Sequence, residues 1–239
     1  MFDLTGRIAV VTGGGSGIGE AIALLFARQG AEVFVLDLDD AAAGRTAGKI
    51  AADGGKSGAL RCDVGDAAQV LSAFGEVVAR RGRIDVLVNS AGIAHIGTVL
   101  STSEEDFDRI YRVNVKGVYL CMQAAVRQMS AQGGGVIVNM ASTVSHIGLP
   151  DRFAYSMSKG AVHTMTMSVA ADYMKTIRCN CIAPARIHTP FVDGFIAKNY
   201  PGREKEMFQK LSEAQPIGRM GRPEEVAFLA LYLCSDEAS

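Results

Sequence analysis

No apolar run in the 239-residue sequence approaches the ~20 residues needed to span a bilayer; the stretch 8–12 is strand-sized. The first six residues, Met1-Phe2-Asp3-Leu4-Thr5-Gly6, offer neither the basic nor the apolar segment of a signal peptide. An excess of either charge is also lacking. With 24 Lys+Arg against 25 Asp+Glu the net charge is −1, so electrostatics gives no reason to expect nucleic acid or an anionic membrane as a partner. Cysteines are few and odd in number: Cys62, Cys121, Cys179, Cys181 and Cys234. Without framework spacing they point to reduced thiols and a cytoplasmic setting. Cys179 and Cys181 would share one face of a strand, a spacing that can suit a metal. With no His or Cys partner nearby they read instead as small buried hydrophobes, and no metal is expected.

Linkers and low-complexity segments are missing too, so residues 1–239 read as a single domain, with 49% hydrophobic and 21% charged residues to build its core. Short apolar runs alternate with helical stretches. Strands are expected over 8–12, 33–36, 59–63, 84–88, 135–140 and 178–183, and helices over 20–29, 41–52, 67–81, 104–132, 155–175 and 224–233. Near-continuous apolar strands separated by helices predict an α/β fold, a doubly wound parallel sheet of Rossmann-like form covered on both faces. The segment 190–216 breaks the rhythm, with Phe191, Phe195, Tyr200 and Phe208 set among charges. It reads as an insertion of one or two helices, a small helical lid. Sheets of this type usually gain another strand after a helix like 224–233, so a further C-terminal segment beyond Ser239 is expected.

The first strand runs into Thr12-Gly13-Gly14-Gly15-Ser16-Gly17-Ile18-Gly19 and a helix follows. A pyrophosphate needs backbone N–H groups at a helix N-terminus with no side chains in the way, and glycine also permits the tight turn. Gly13, Ser16, Gly17, Ile18 and Gly19 are therefore candidate cofactor contacts, although a plain tight turn would use glycine as well. Asp37 ends the second strand about 20 residues on, where an acid hydrogen-bonds the adenosine ribose and repels a 2′-phosphate. This favours NAD over NADP; otherwise Asp37 is a solvated loop acid beside Asp39 and Asp40. Asp63, followed by Val64, closes the third strand at the same sheet edge, to meet the adenine or to cap a turn. In Tyr155-Ser156-Met157-Ser158-Lys159 the Tyr and Lys share a helix face, and a cation beside a phenol lowers its pKa and prepares it for proton exchange. Alone, the pair is equally an ordinary aromatic and Lys on an amphipathic helix.

Ser142 stands thirteen residues before Tyr155, Asn89-Ser90-Ala91-Gly92 ends the fourth strand, and Asn114 lies on the long helix. With the glycine turn, these motifs resemble the short-chain dehydrogenase/reductase family over essentially the whole chain. The resemblance implies that Tyr155 is the general acid/base, that Lys159 tunes it and holds the nicotinamide ribose, that Ser142 orients the substrate oxygen and that Asn114 positions a relay water. It also implies that Asn89, Ala91 and Gly92 line the adenosine side, and that Pro184, Ile187 and Thr189 flank the nicotinamide. Two departures stand out: Pro184-Ala185 where the family commonly has Pro-Gly, and Ser90 in place of a second Asn.

Arg152 lies three residues before Tyr155 and Arg186 follows Pro184-Ala185. A guanidinium fork suits a carboxylate; both can equally be surface arginines paired with Asp151 or Asp193. An Arg at 152 resembles the family's cytosolic hydroxybutyrate dehydrogenases. The run 184–195 resembles the branch acting on 2-keto-3-deoxy sugar acids of the fuconate or rhamnonate type, and His146, with His188 and His95, is a candidate for hydroxyl contacts. The expected function is an NAD-dependent oxidoreductase interconverting a secondary alcohol and a ketone on a small hydroxy acid. An NADP-dependent 3-oxoacyl thioester reductase and a non-enzymatic NAD-binding protein are the alternatives. Family members commonly pair through the two long helices, so a homodimer or homotetramer is expected, through a small-residue face including Ala161, Met165, Ser168 and Val169.

Overall fold

In the computed structural model, which describes residues 2–239 (Asn199 by its backbone alone), the apolar runs become six parallel strands. They are β1 (Ile8–Thr12), β2 (Glu32–Asp37), β3 (Lys56–Arg61), β4 (Val86–Asn89), β5 (Gly135–Met140) and β6 (Ile177–Ile182), ordered β3-β2-β1-β4-β5-β6. Every residue of β1 and β4 is buried, because helices cover both faces. The two-residue period sends alternate side chains to two separate cores. Val10, Phe34, Leu36, Leu87 and Ile137 meet α3 (Ala67–Arg81), α5 (Gly117–Gln132) and α6 (Phe153–Asp172). Ala9, Val11, Val33, Val35 and Val138 meet α1 (Gly17–Arg28), α2 (Asp40–Ala52) and α9 (Pro223–Cys234). No helix among the described residues is long and apolar enough to cross a membrane.

Three boundaries differ from the sequence reading in ways that matter for the site. Strand β3 begins at Lys56 and ends at Arg61, so Asp63 lies in the turn beyond it rather than at its end. The register with β2, Glu32↔Lys56 through Asp37↔Arg61, sets those limits; the strand is at the sheet edge and partly exposed, which blurs its apolar signal. The long helical region is not uniform: α4 (Glu104–Ile110) passes through a π turn, Tyr111–Lys116, before α5. Helix α6 starts at Phe153, which puts Tyr155 in its first turn.

Segment 190–216 forms α7 (Pro190–Asn199) and α8 (Glu204–Glu213). Pro190 occupies the first turn of α7, where a missing N–H costs nothing. Val192, Ile196, Met207 and Met220 make a small apolar cluster of their own, with Phe195, Tyr200, Phe208 and Leu211 packed against it. This explains the aromatics among charges: the two helices bury their apolar faces against each other and not in the main core.

At the opposite edge from the strand C-termini, Asp85 ties three strands together. It is 2% exposed; its carboxylate accepts the Ile8 amide (2.8 Å) and is held by Arg83, while its carbonyl accepts from Val136 (2.9 Å). Asp85→Ala should leave the Ile8 N–H buried without a partner and lower the unfolding free energy by about 1–3 kcal/mol. Urea denaturation should show this as a lower midpoint at unchanged slope; an unmoved midpoint would contradict it.

Candidate functional site

From β1 the sheet is built outward to β2 on one side and to β4 on the other, which opens a crevice beyond the strand C-termini. Thr12 and Asn89 are register partners there, and the Thr12 hydroxyl accepts the amides of Ser90 (3.2 Å) and Ala91 (3.3 Å). A Cβ on Gly13 would lie 2.7 Å from the Ala91 Cα, and one on Gly19 would lie 2.1 Å from the Gly13 carbonyl oxygen. The glycines are thus required by contact between turns. Ser16 precedes α1 without capping it through its side chain, and the amides of Gly17, Ile18 and Gly19 donate to no group among the described residues. Free amides at a helix N-terminus, unobstructed by side chains, fit a pyrophosphate. Thr189 lies against Gly17, 3.3 Å from where its Cβ would be, so the turn after β6 closes the same crevice.

Asp37 and Asp39 of the second βα turn have different partners. Asp37 accepts the Gly15 amide (2.9 Å) and the Asp39 amide (3.0 Å), whereas Asp39 caps α2 by accepting from Ala42 (3.1 Å). Asp37 is therefore fastened to the glycine turn and is not a freely solvated loop acid. Asp63 accepts the Gly65 amide (2.9 Å) and the Arg112 guanidinium (2.8 Å). Burial alone would raise its carboxyl, but these two donors outweigh it and hold it below the usual carboxylate range. Val64 is buried, and its amide donates to nothing among the described residues.

The structure brings Asn114 and Lys159 together at Gly92, with Tyr155 beside Lys159 and Ser142. Ser142, just beyond β5, is 8% exposed; its hydroxyl accepts the Val144 amide (3.4 Å) and acts to lower the Tyr155 phenol. Lys159 is buried, donates to the Met140 carbonyl (2.8 Å) and lies 5.8 Å from the Tyr155 ring centroid. Burial brings its ammonium down to about 8. Burial also raises the Tyr155 phenol, against the Ser142 hydrogen bond and the charge of Arg152. In this structure burial outweighs the groups that lower the phenol, while the Lys159 ammonium lies over the Tyr155 ring and donates to the Met140 carbonyl.

Asn114 sits in the π turn, fully buried. Its amide group donates to the Ile93 carbonyl (2.8 Å) and to Ser158 (3.0 Å), and its carbonyl accepts from the Ile93 amide (2.9 Å). One side chain thereby pins the loop after β4 to helix α6. Asn114 Oδ1 and Lys159 Nζ lie 3.3 and 3.5 Å from the position a Gly92 Cβ would take, so both line the space beside that residue. Asn89, by contrast, is structural in its contacts: it donates to Asn139 (2.8 Å) inside the sheet.

Before Tyr155, Arg152 is close enough for its charge to act on both Arg186 and Tyr155. Neither arginine forms an ion pair among the described residues. Arg152 donates to the carbonyl of Asp151 (2.9 Å), and Asp193 is taken by His188 (2.9 Å). The Nε of Arg186 is buried without a partner, and burial, with the Arg152 charge, lowers its pKa. The histidines have other partners. His146 is exposed and stacks edge-on against His163 (4.5 Å), His188 packs on Phe208 (5.0 Å), and His95 faces Asp106 (3.4 Å). Pro184 accepts the Thr143 amide (3.1 Å), Ile187 bridges to Gly221, and Ala185 is exposed. Sequence reasoning missed Arg112, the backbone of Ile93, the Met140 carbonyl and Ser158. Only Ser158 had a signal, a polar residue on the inner face of α6 one turn after Tyr155.

A family model described as enoyl-(acyl carrier protein) reductase matches residues 13–239. A 2-keto-3-deoxy-L-fuconate dehydrogenase of Xanthomonas campestris is 38% identical over 99% of this chain and 76% of its own. A D-threitol dehydrogenase of Mycolicibacterium smegmatis is 38% identical over 100% of this chain and 89% of its own. Among solved structures, a 3-ketoacyl-(acyl-carrier-protein) reductase from Brucella melitensis complexed with NADH has a TM-score of 0.89 at 34% identity, covering 99% of this chain and 93% of that one. The crevice, the glycine turn and the group around Gly92 thus occur on a chain that belongs to the short-chain dehydrogenase/reductase family, oxidoreductases that act on CH–OH groups.

Proposed function

We propose that this oxidoreductase is NAD-dependent and oxidises a secondary hydroxyl on a small carboxylic acid, a 2-keto-3-deoxy sugar acid being the favoured substrate. The observation that carries this reading is the pair Arg152 and Arg186, two guanidinium groups near Tyr155 with no carboxylate of their own. A buried, unpaired cationic group is costly and is best relieved by an acidic ligand. The 2-keto-3-deoxy-L-fuconate dehydrogenase relative supports the sugar-acid preference. The D-threitol dehydrogenase relative favours a second reading, an uncharged polyol.

The nicotinamide, when bound, accepts the hydride. In the proposed roles, Ser142 and Tyr155 both hydrogen-bond the substrate oxygen, Ser142 orienting it and Tyr155 Oη taking its proton. Lys159, whose pKa near 8 suits proton exchange at mild pH, stands next along the path. Asn114 Oδ1 keeps a second lone pair on the Gly92 side, facing a relay water between itself and Lys159. Gly13, Ser16, Gly17, Ile18 and Gly19 hold the pyrophosphate; Asp37 accepts from the adenosine ribose; Asp63 and Val64 meet the adenine; Asn89, Ala91 and Gly92 line that side; Pro184, Ile187 and Thr189 flank the nicotinamide. Helices α7 and α8 close over the substrate and exclude water. We also propose pairing into a dimer or tetramer through α5 and α6, which expose Tyr119 and Met167. The five free thiols suit a reducing compartment.

Three outcomes test these roles. Tyr155→Phe should lower turnover by about two to four orders of magnitude, with cofactor binding by calorimetry retained; near-normal turnover rules out the proton role. The unmodified protein should use NAD far better than NADP, and Asp37→Ala should narrow that gap, mainly by weakening NAD. Equal turnover with both cofactors before any substitution would defeat this assignment. Finally, Arg152→Ala or Arg186→Ala should cut kcat/KM for the acid by about one to two orders of magnitude, the worth of one charge-assisted contact, and affect the matching ester or uncharged polyol far less. An enzyme that prefers the polyol from the outset moves the assignment to the second reading.

A further inference from the structure

The turn between β3 and α3 is held from outside its own segment. The Asp63 amide donates to Gln69 (3.0 Å), one carboxylate oxygen accepts the Gly65 amide (2.9 Å), and the other accepts Arg112 from the π turn (2.8 Å). Arg112 lies across Gly65: a Cβ there would sit 2.7 Å from its Nη1 and 2.9 Å from its Cγ. Gly117 leaves the same kind of room under Val64, whose Cγ2 would be 2.8 Å from a Cβ at 117. The 63–65 turn is thus docked on the helix at 111–117, and Arg112 is the ionic part of that contact. Asp66, the N-cap of α3, is a second negative charge beside Asp63. Without Arg112, the Asp63 carboxylate would keep only the Gly65 amide and would lose the cation that offsets its repulsion with Asp66.

Each oxygen of a carboxylate has two acceptor sites, so Asp63, engaged once at each oxygen, still has acceptor capacity to spare. The neighbouring Val64 amide is a donor with no partner among the described residues. Acceptor beside donor matches adenine, whose exocyclic amine donates and whose adjacent ring nitrogen accepts. Hypoxanthine, with a carbonyl and a ring N–H in those places, is mismatched at both.

We propose that Arg112 is a positioning residue for cofactor recognition: it orients Asp63 so that the carboxylate and the Val64 amide together select an adenine base. This rests on the adenine-side reading of Asp63 and Val64 given above. Because Arg112 stands two residues from Asn114 in the same π turn, a merely structural role would disturb catalysis; the proposed role acts on the cofactor alone.

The test is calorimetric binding of NADH and of reduced nicotinamide hypoxanthine dinucleotide to the full chain, with steady-state kinetics alongside. The unmodified protein should bind NADH at least about tenfold more tightly than the hypoxanthine analogue, as expected for one charge-assisted hydrogen bond. Arg112→Ala should reduce that preference to about threefold or less by weakening NADH, raising KM for NAD much more than it lowers kcat. Gly65→Ala, which pushes Arg112 aside without removing it, should act in the same direction, and Arg112→Lys should restore most of the preference. If Arg112→Ala keeps the preference while Asp63→Asn loses it, the adenine reading stands and the role of Arg112 falls. A fall in kcat at unchanged KM likewise overturns it in favour of a structural role. An unmodified protein with no preference between the two dinucleotides overturns both readings together.

Discussion

Three turns meet at the C-terminal end of β1 and β4 because side chains are absent where they touch. Gly13 faces the backbone of Ala91, Gly19 faces the carbonyl of Gly13, and Gly92 leaves room between Asn114 and Lys159. Any Cβ at Gly13 or Gly19 would fall well inside van der Waals contact with rigid backbone, so the turns would have to part. The free amides at the start of α1, the anchoring of Asp37 to Gly15 and the placement of Asn114 against Ile93 all depend on that closeness.

Around this contact the protein accepts unfavourable electrostatics. An ammonium at Lys159 and a guanidinium at Arg186 are both depressed by burial, and the phenol of Tyr155 is raised by it. Such groups cost stability unless a ligand compensates them, and they cluster where chemistry is done. The surrounding scaffold offsets the cost. Asn89, Asn139 and Thr166 form a buried hydrogen-bonded chain across β4, β5 and α6, and Asp85 ties the far ends of the strands. The π turn belongs to the same logic, since it gives up regular helical bonding to present Asn114 inward.

The helical insertion after β6 has an apolar cluster separate from the two main cores. Its own apolar cluster holds α7 to α8, while His188, paired with Asp193 and packed on Phe208, joins the segment after Ile187 to both helices.

The amino-acid sequence by itself determined the strands, their burial on both faces and the glycine turn, because each is a matter of near neighbours: apolar runs, the i, i+4 spacing of Tyr155 and Lys159, a turn that only glycine fits. It also pointed to Asp37, through its place at the end of the second strand, and to Ser142 and Asn114, through resemblance at separated motifs. The tertiary structure alone decided what distant segments do to each other. Periodicity has no means of showing that Arg112 would reach Asp63, 49 residues away, or that Asp193 would take His188 and leave Arg186 unpaired. It equally could not show that the Lys159 ammonium would go to the Met140 carbonyl, or that burial would push the Tyr155 phenol up. Ion pairing and desolvation depend on distance in space and on the surface removed from water, and both are set only once the sheet has brought its strand ends together.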